Sequence, residues 1–442
     1  MVRAVVAVAG TAVLAEGLAF LADSASGGRR PPASLTARIG GVAFLWFHHV
    51  GMVFGSAGGE ASFRITLALA LLGGTALAVW LLALGGGAVA RVAARARGGA
   101  DGSVLRIGVD GMKVAPPYAL ASLAATTAIH FSIHLPTNVV VPFDVSIHPS
   151  IVGAFVWPLV LAAAAGFGGA VRTAARDGAT GTRAGAPARE ASAANRDARV
   201  RAALAGGWRM LVLGMALSFV GLLILGAVHP DSTRAYFDAV LRRGSLRGVT
   251  LIALTALAAP NMAAWVLSAA MGSCLGQFGS SAVCVLSYRH FPSGGGTLGG
   301  SLGRLVSAVP GGPAPPGYLL FFAVPVVATV IGGIHAAARS RSTSRAEAAW
   351  VGAGAGMVFG ALAAILVVLA SIAGSVGPGL GRASTTVFRL GPDPVGTILL
   401  AFAWGVTGGT LGALAHGPSP PEQAVGTATP SPDEGDTPAG PS

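Results

Sequence analysis

The stretch that decides the fold is residues 210–230, MLVLGMALSFVGLLILGAVHP, which carries no charged side chain. A helix needs about 20 mostly apolar residues to cross the hydrocarbon core of a bilayer. Residues 4–22 also form a candidate span, which only Glu16 interrupts. Further uncharged stretches lie at 39–59, 65–90, 114–143, 145–171, 248–288, 305–338, 348–381 and 394–421. The sequence therefore predicts an all-α, polytopic transmembrane bundle of about ten spans, centred near Leu14, Phe47, Leu77, Ala125, Leu161, Phe219, Leu257, Val327, Leu362 and Phe402.

The composition excludes an ordinary soluble protein. Hydrophobic residues make up 53% of the 442 residues and charged residues 10%, against about 25% charged in soluble domains. The formal net charge is +12, but the arginines cluster between apolar stretches, as the positive-inside rule expects of cytoplasmic loops. We therefore expect membrane lipid around the chain, and no nucleic-acid partner.

The charged residues also divide the chain. Residues 1–172 form a first membrane half and residues 208–416 a second, with about five spans each. A polar, basic linker at 173–207 separates them, and we find no convincing sequence repeat between them. Residues 417–442 are rich in Pro, Gly, Ser and Thr and contain only acidic charges, which predicts a disordered acidic tail.

The basic loops indicate the orientation. Loops 91–113 and 172–209 are separated by two predicted spans, but loop 339–345 follows the second loop after three. One further crossing would place all three in the cytoplasm. We therefore predict a short broken or re-entrant segment at 274–288, which also places the C-terminal tail in the cytoplasm of a multi-pass cell-membrane protein.

The chain contains two cysteines, Cys274 and Cys284, without CxxC spacing. Two cysteines are too few for a disulfide framework. Because both lie in an apolar stretch, we expect small buried thiols.

The segment 259–265, APNMAAW, is the strongest candidate for a functional kink. Pro260 cannot donate a backbone hydrogen bond, so the helix should kink there. Asn261 can satisfy freed backbone groups. Trp265 follows on the same helix, which we expect to end near Gly272. A packing kink is the structural interpretation, and a gate or binding site is the functional one.

This segment resembles the PerM family, which consists of actinobacterial polytopic membrane proteins linked to cell division and envelope integrity. The resemblance rests on the Pro-Asn pair, the Trp four residues after the Asn, and the Gly seven residues beyond the Trp. The run Trp46-Phe47-His48-His49 and the loop 292–316 are similar to the family's early and later regions. Here Ser273, Cys274 and Leu275 replace the family's compact Gly-x-Gly-Phe turn. The resemblance implies no enzymatic residues.

Three further polar residues lie within predicted spans. A carboxylate such as Glu16 is costly in hydrocarbon, so it is a candidate functional residue unless it lies near the interface. His130 and His134 would lie one turn apart on a helix, and His48 or His49 could complete a metal or haem site. Hydrogen bonding between helices is the alternative that we favour, and we predict no metal, no cofactor and no catalytic residue.

Glycines recur at four-residue spacing in the last two spans: Gly352, Gly356 and Gly360, Gly405 and Gly409, and Gly408 and Gly412. Small residues on one face let helices approach closely, so we predict that these spans pack tightly together.

Together these features favour a non-enzymatic membrane protein that supports cell division or envelope integrity through contacts with other membrane or divisome proteins. The alternative is a secondary transporter or channel for a small solute, which would use the kinked helix at Pro260 and Asn261.

Overall fold

The computed structural model describes residues 33–56, 63–97, 104–126, 129–135, 143–176, 188–228, 230, 231, 234, 238, 245–279, 283–288, 316–340, 342–378 and 386–417. Most of these residues are helical. In chain order the α-helices are α1 (Ala33–Trp46), α2 (Leu72–Ala96), α3 (Val104–Met112), α4 (Ala115–Thr126), α5 (Ile151–Arg176), α6 (Ala188–Val228), α7 (Ser245–Ala270), α8 (Ala323–Ser340), α9 (Arg345–Ala370) and α10 (Pro394–His416). A 3-10 helix, Pro316–Phe322, precedes α8.

Within the described residues, six helical segments are long and apolar enough to cross a membrane. By length and composition, the chain is therefore a multi-pass membrane protein. The six segments are Leu72–Ala96, Ile151–Ala174, Asn195–Val228, Pro316–Ser340, Arg345–Ala370 and Pro394–His416.

The prediction of about ten spans is not confirmed, and two of the predicted centres are wrong. Phe47 lies in a turn after α1, which has 14 residues and ends at Trp46. Ala125 lies at the end of α4, which has 12 residues. Both uncharged stretches contain a helix end followed by a strand. The absence of charge does not distinguish a spanning helix from a short helix joined to a strand.

The structure also contains a sheet that the sequence did not predict. Its strands are β1 (Met52–Ser56), β2 (Phe63–Ala68), β3 (Phe131–Leu135), β4 (Phe143–Pro149), β5 (Leu275–Gly279), β6 (Val283–Leu286), β7 (Ile372–Pro378) and β8 (Thr386–Pro392). The described strands form one eight-stranded sheet in the order β3-β4-β1-β2-β7-β8-β5-β6, and all neighbours are antiparallel. The helices account for most of the described residues, but the all-α prediction is wrong on this point.

Four hairpins build this sheet. Each follows the C-terminus of one helix and precedes the N-terminus of another. Because all four pair in one sheet, they lie at the same end of the bundle. The predicted broken or re-entrant segment 274–288 is hairpin β5–β6. It does leave the helix after α7, as predicted, but it pairs within the sheet.

The strand order reveals an internal repeat. The order β7-β8-β5-β6 in the second half is the order β3-β4-β1-β2 of the first half, so β5 to β8 correspond to β1 to β4. The equivalent strands also keep the same register. The equivalent pairs are Met52–Pro149 with Leu275–Pro392, and Phe131–Ile147 with Ile372–Leu390. The two halves therefore share one strand topology.

The helices follow the same repeat. In the first half, α5 packs against α2 and against the pair α3 and α4; in the second half, α10 packs against α8 and α9. Gly166 lies directly against the backbone of Gly111, as Gly409 lies against that of Gly352. The pair α3 and α4 thus corresponds to α9, with a break at Lys113 and Val114.

The predicted tight packing of the last two spans is confirmed. Gly352 lies against Gly409, and Gly356 lies against Gly405. A Cβ on any of these glycines would collide with the backbone of the opposite helix. The second glycine face of α10 packs against α8, where Gly408 meets Thr329 and Gly412 meets Val330.

Helix α6 follows the break between the two halves. It runs without interruption from Ala188 to Val228, so residues 188–207 of the predicted linker are helical. Gly206 lies against Gly332 in the middle of α8, and Gly221 lies against Phe321 before its start. Helix α6 therefore runs antiparallel to α8 and leads toward the sheet.

The described residues of the predicted basic loops lie at the end of the bundle opposite the sheet. They lie where α2 leads to α3, where α5 leads to α6, and where α8 leads to α9. Arg199 of α6 forms an ion pair with Glu347 of α9 at 2.8 Å, which joins two of these regions. They share one end without a crossing at 274–288.

Candidate functional site

Helix α7 carries the predicted kink motif. The helix continues through Pro260 and ends at Ala270. Gly272 follows with a φ of +97°, in the left-handed region that glycine adopts without steric cost. The predicted helix end near Gly272 is therefore confirmed, and Gly272 serves as the turn that leads into β5.

Asn261 binds the start of α2, in the other half of the chain. Its Oδ1 accepts a hydrogen bond from the backbone N–H of Leu72 at 3.0 Å, and its Nδ2 donates to the carbonyl of Ala70 at 2.7 Å. The residue at the helix start, Leu71, has no side chain that caps the helix. The first N–H groups of a helix have no partner within it, so Asn261 supplies a cap from a different helix.

Trp265 performs the matching task in the second half. Its Nε1 donates to the carbonyl of Ala370, the last residue of α9, at 2.9 Å. Nearby, Trp404 of α10 donates from Nε1 to the carbonyl of Met271 at 3.0 Å. We call Asn261 and Trp265 the α7 clamp, because together they hold one helix end from each half.

Helices α1 and α7 end in the same turn. In both, the last turn closes with one hydrogen bond to the carbonyl three residues earlier and another to the carbonyl five residues earlier, the arrangement of a Schellman motif. The equivalent bonds are His49–Trp46 (3.2 Å) and Val50–Leu45 (3.1 Å) in α1, and Gly272–Ala269 (2.9 Å) and Ser273–Ser268 (3.1 Å) in α7. His49 therefore occupies the position of Gly272.

Because His49 occupies the position of Gly272, its backbone is in the left-handed region. Its φ is +58°, which costs a residue with a Cβ more than it costs glycine. The His49 side chain is buried, packs edge-on against Trp157, and its Nδ1 has no hydrogen-bond partner among the described residues. Burial lowers the pKa of His49 to about 4, and the nearby charge of Arg389 acts in the same direction.

His48, beside it, forms a buried polar pair with Tyr118 of α4. Its Nε2 lies 2.5 Å from the Tyr118 hydroxyl, and its Nδ1 lies 2.7 Å from the carbonyl of Phe44. A neutral ring that donates from Nδ1 and accepts at Nε2 satisfies both contacts. The pair lies in the turn region outside the six spanning segments, and burial lowers the pKa of His48 to about 4.

The internal repeat supplies the counterparts of this pair. His48 precedes the left-handed residue His49 as Met271 precedes Gly272. Tyr118 lies seven residues after Gly111, and Phe359 lies seven residues after Gly352. Met271 and Phe359 are both fully buried in one apolar cluster. The second half therefore builds the same contact region without a polar pair.

The predicted histidine pair does not lie on a helix. His134 lies in β3, paired in register with Asp144, and His130 immediately precedes that strand. The His130 ring stacks on His148, with centroids 5.9 Å apart, and not on His48 or His49. The spacing of one helical turn was therefore the wrong period for this segment. Among the described residues, no three metal-binding side chains come together. Glu16 lies outside the described residues.

The prediction of free thiols is wrong. Cys274 and Cys284 form a disulfide across hairpin β5–β6, with Cα atoms 5.7 Å apart. Cys274 immediately precedes β5 and Cys284 lies in β6, so neither lies in an apolar helix, which the charge pattern did not reveal.

Sequence reasoning also missed the buried polar pair. Tyr118 lies in a stretch without charge, and nothing in the sequence links it to His48, 70 positions earlier. A histidine within an otherwise apolar run was the only available signal. Its partner depends on the contact between α1 and α4.

Comparisons with known proteins give no relative. No family model matches the chain, and neither a curated protein nor a solved structure is significantly similar to it.

Proposed function

We propose that this chain is a non-enzymatic membrane protein that supports cell division or envelope integrity, and that it does so by binding other membrane proteins through its sheet. The sheet carries this proposal. Eight strands stand at one end of a bundle whose helices meet at backbone-to-backbone glycine contacts. Such a bundle is a rigid support for a binding surface.

The proposed orientation places the sheet outside the cytoplasm. The arginine-rich loops lie at the opposite end, which the positive-inside rule assigns to the cytoplasm. The disulfide in hairpin β5–β6 is independent support for an oxidising compartment around the sheet. Helix α10 leads away from the sheet, so the same orientation places the C-terminal tail in the cytoplasm.

The α7 clamp fits this role better than a gate. Asn261 is buried, and both polar groups of its side chain bind backbone. A gate residue needs a polar group that can exchange partners as the site opens. The resemblance of the Pro260-Asn261 segment to the PerM family adds the expectation of a role in division or the envelope.

Deletion of the gene tests the cellular role. We expect filamentous or envelope-sensitive cells, rescued by the full chain. Wild-type morphology and growth, also under envelope stress, would contradict the role.

Photo-crosslinking in native membranes tests the binding surface. A photoreactive residue at Val387, which is 56% exposed on β8, should capture membrane proteins of the division or envelope machinery. The matched control is Trp350, which is 79% exposed at the opposite end. Equal capture at both positions, or none at Val387, would contradict a sheet-centred binding surface.

A second candidate is a secondary transporter or channel for a small solute. One observation favours it: Tyr118, Ser122 and Thr126 are buried polar residues spaced four apart on α4, and a row of buried polar side chains inside a membrane bundle is a candidate solute or proton pathway. Uptake by reconstituted liposomes that the variant His48→Met with Tyr118→Phe abolishes would support this candidate over the first.

A further inference from the structure

The two outer strands of the sheet, β3 and β6, each have one edge without a partner among the described strands. An unpaired edge presents a row of free N–H and C=O groups and readily accepts another strand. The internal repeat of the chain indicates which strand each of these edges can bind. Strand β2 corresponds to β6, and β7 corresponds to β3, and inside the chain β2 and β7 are paired.

The spatial operation that superimposes the first half of the chain on the second does not turn it over in the membrane. It preserves strand direction, because β3 and β7 hold the same place in an alternating antiparallel order. It also preserves direction through the membrane, because α5 and α10 both lead away from the sheet. Applying the same relation once more would place a second copy in the same membrane with the same side facing out.

We propose that a second copy of this chain pairs its β3 with the free edge of β6, in the antiparallel manner of β2 and β7. The interface is head-to-tail, because two different edges meet. Such an interface produces a closed ring where the rotation permits, and an open row where it does not.

The internal interface fixes the expected register. Leu67 of β2 pairs with Gly374 of β7. Leu286 corresponds to Leu67, since they stand opposite the equivalent residues Leu275 and Met52. Ile133 corresponds to Gly374, since they stand opposite the equivalent residues Val145 and Phe388. The pairing therefore sets Leu286 against Ile133 of the second copy.

One difference limits the contact. The pairing of β5 with β6 shifts between Leu275 and Gly276, as at a β-bulge, whereas β1 and β2 pair regularly. Bulges and short strands weaken an edge as a template. The contact therefore centres on Leu286, where the register of β2 is kept.

Cysteine crosslinking of the full-length chain in its native membrane tests the proposal. The variant with Leu286→Cys and Ile133→Cys is treated with a short bis-maleimide, which leaves the native disulfide intact. We expect species of two or more copies on a denaturing gel, in several-fold higher yield than from either single variant. The matched control combines Leu286→Cys with Ser132→Cys, which is one residue out of register and should crosslink weakly.

Each alternative result overturns the proposal. A crosslink within one copy, visible as thiols that are consumed without a change in mass, would mean that the sheet closes on itself. Equal yields from the in-register and out-of-register pairs would mean collision rather than pairing. Wild-type chain that is only monomeric in native-lipid discs, together with no crosslink, would exclude a second copy as the partner of this edge.

Discussion

The two halves of the molecule share a backbone plan but differ in what fills it. On α3 and α4 the buried positions at four-residue spacing include Asp110, Tyr118, Ser122 and Thr126; on α9 the equivalent positions hold Val351, Phe359, Ala363 and Val367. All eight are buried. The equivalence holds to the end of the helices, because Phe131 and Ile372 open the next strands twenty residues beyond Gly111 and Gly352.

This difference shows that the fold does not require polar side chains at these positions. The second half shows that apolar side chains suffice at every one of these positions. Buried polar groups stabilise less than well-packed apolar ones unless they are fully hydrogen-bonded, and Ser122 Oγ has no partner among the described residues. Ser122 is therefore explained neither by packing nor by hydrogen bonding, and it is a candidate for function.

The largest expected effect tests the shared plan. Gly111→Ala and Gly352→Ala should each lower the free energy of unfolding by about 3 kcal/mol, because the new Cβ collides with opposing backbone. Thermal unfolding in detergent measures this effect. The control is Gly168→Ala, which meets nothing within 4 Å and should not destabilise the chain. A large loss in only one half would contradict the equivalence of the two contacts.

The next effect concerns the α7 clamp. Asn261→Ala should cost about 2–3 kcal/mol, because it leaves the N–H of Leu72 and the carbonyl of Ala70 buried without partners. The free energy of unfolding in denaturant measures it. An unchanged stability would show that the α2 start does not depend on this cap.

A third effect is a pH dependence of the free energy of unfolding that arises in the first half, from His48 and His49. The unfolded chain protonates histidine near pH 6.5, whereas burial holds the pKa of His48 and of His49 at about 4 in the fold. Both states are neutral above pH 6.5. Below it the unfolded state takes up protons first, so stability falls from pH 6.5 to about 4, by about 2 kcal/mol per histidine at pH 5.

The second half supplies the control for this prediction. The variant His48→Met with Tyr118→Phe gives the first half the residues of the second. Its stability at pH 7.5 should lie close to that of the wild type, and the part of the pH dependence that comes from His48 should disappear. Unfolding curves between pH 7.5 and 4.5 that match the wild type would contradict the assignment of His48.

The smallest effect concerns Trp265, the residue of the α7 clamp that binds the second half. Trp265→Phe leaves a smaller aromatic ring without the N–H that binds the carbonyl of Ala370, and the lost hydrogen bond should cost about 1 kcal/mol. The same denaturation measurement applies. A loss larger than that of Asn261→Ala would mean that the clamp holds the second half more tightly than the first.

Six of the predicted spans coincide with the six long apolar helices, because a helix that lies in lipid must be free of charge over about 20 residues. The packing of α9 on α10 was predictable for a similar reason, since glycines at four-residue spacing mark a close helix contact. Asn261 was identified as a residue that satisfies backbone groups. Its targets, Ala70 and Leu72, lie in the other half of the chain and left no local signal.

The sheet and the repeat were not predictable for a physical reason. Short strands such as Phe131–Leu135 carry no charge, and so they extend an apolar run without changing it. The two halves resemble each other in their backbone contacts, and only a few side chains at those contacts are the same in both. The equivalent start of α5 and α10 keeps only Pro149, Val152 and Gly153 as Pro392, Val395 and Gly396. Glycines and prolines matched at wide intervals do not stand out in a chain with 66 Gly.

The most direct test of the account is the side of the membrane on which the sheet lies. Single cysteines at Val387 in the sheet and at Arg345 in a basic loop are exposed to a membrane-impermeant maleimide in intact cells. The account predicts labelling of Val387→Cys in intact cells and of Arg345→Cys only after lysis. The reverse pattern, or labelling of both positions before lysis, would contradict the proposed orientation and the binding surface that depends on it.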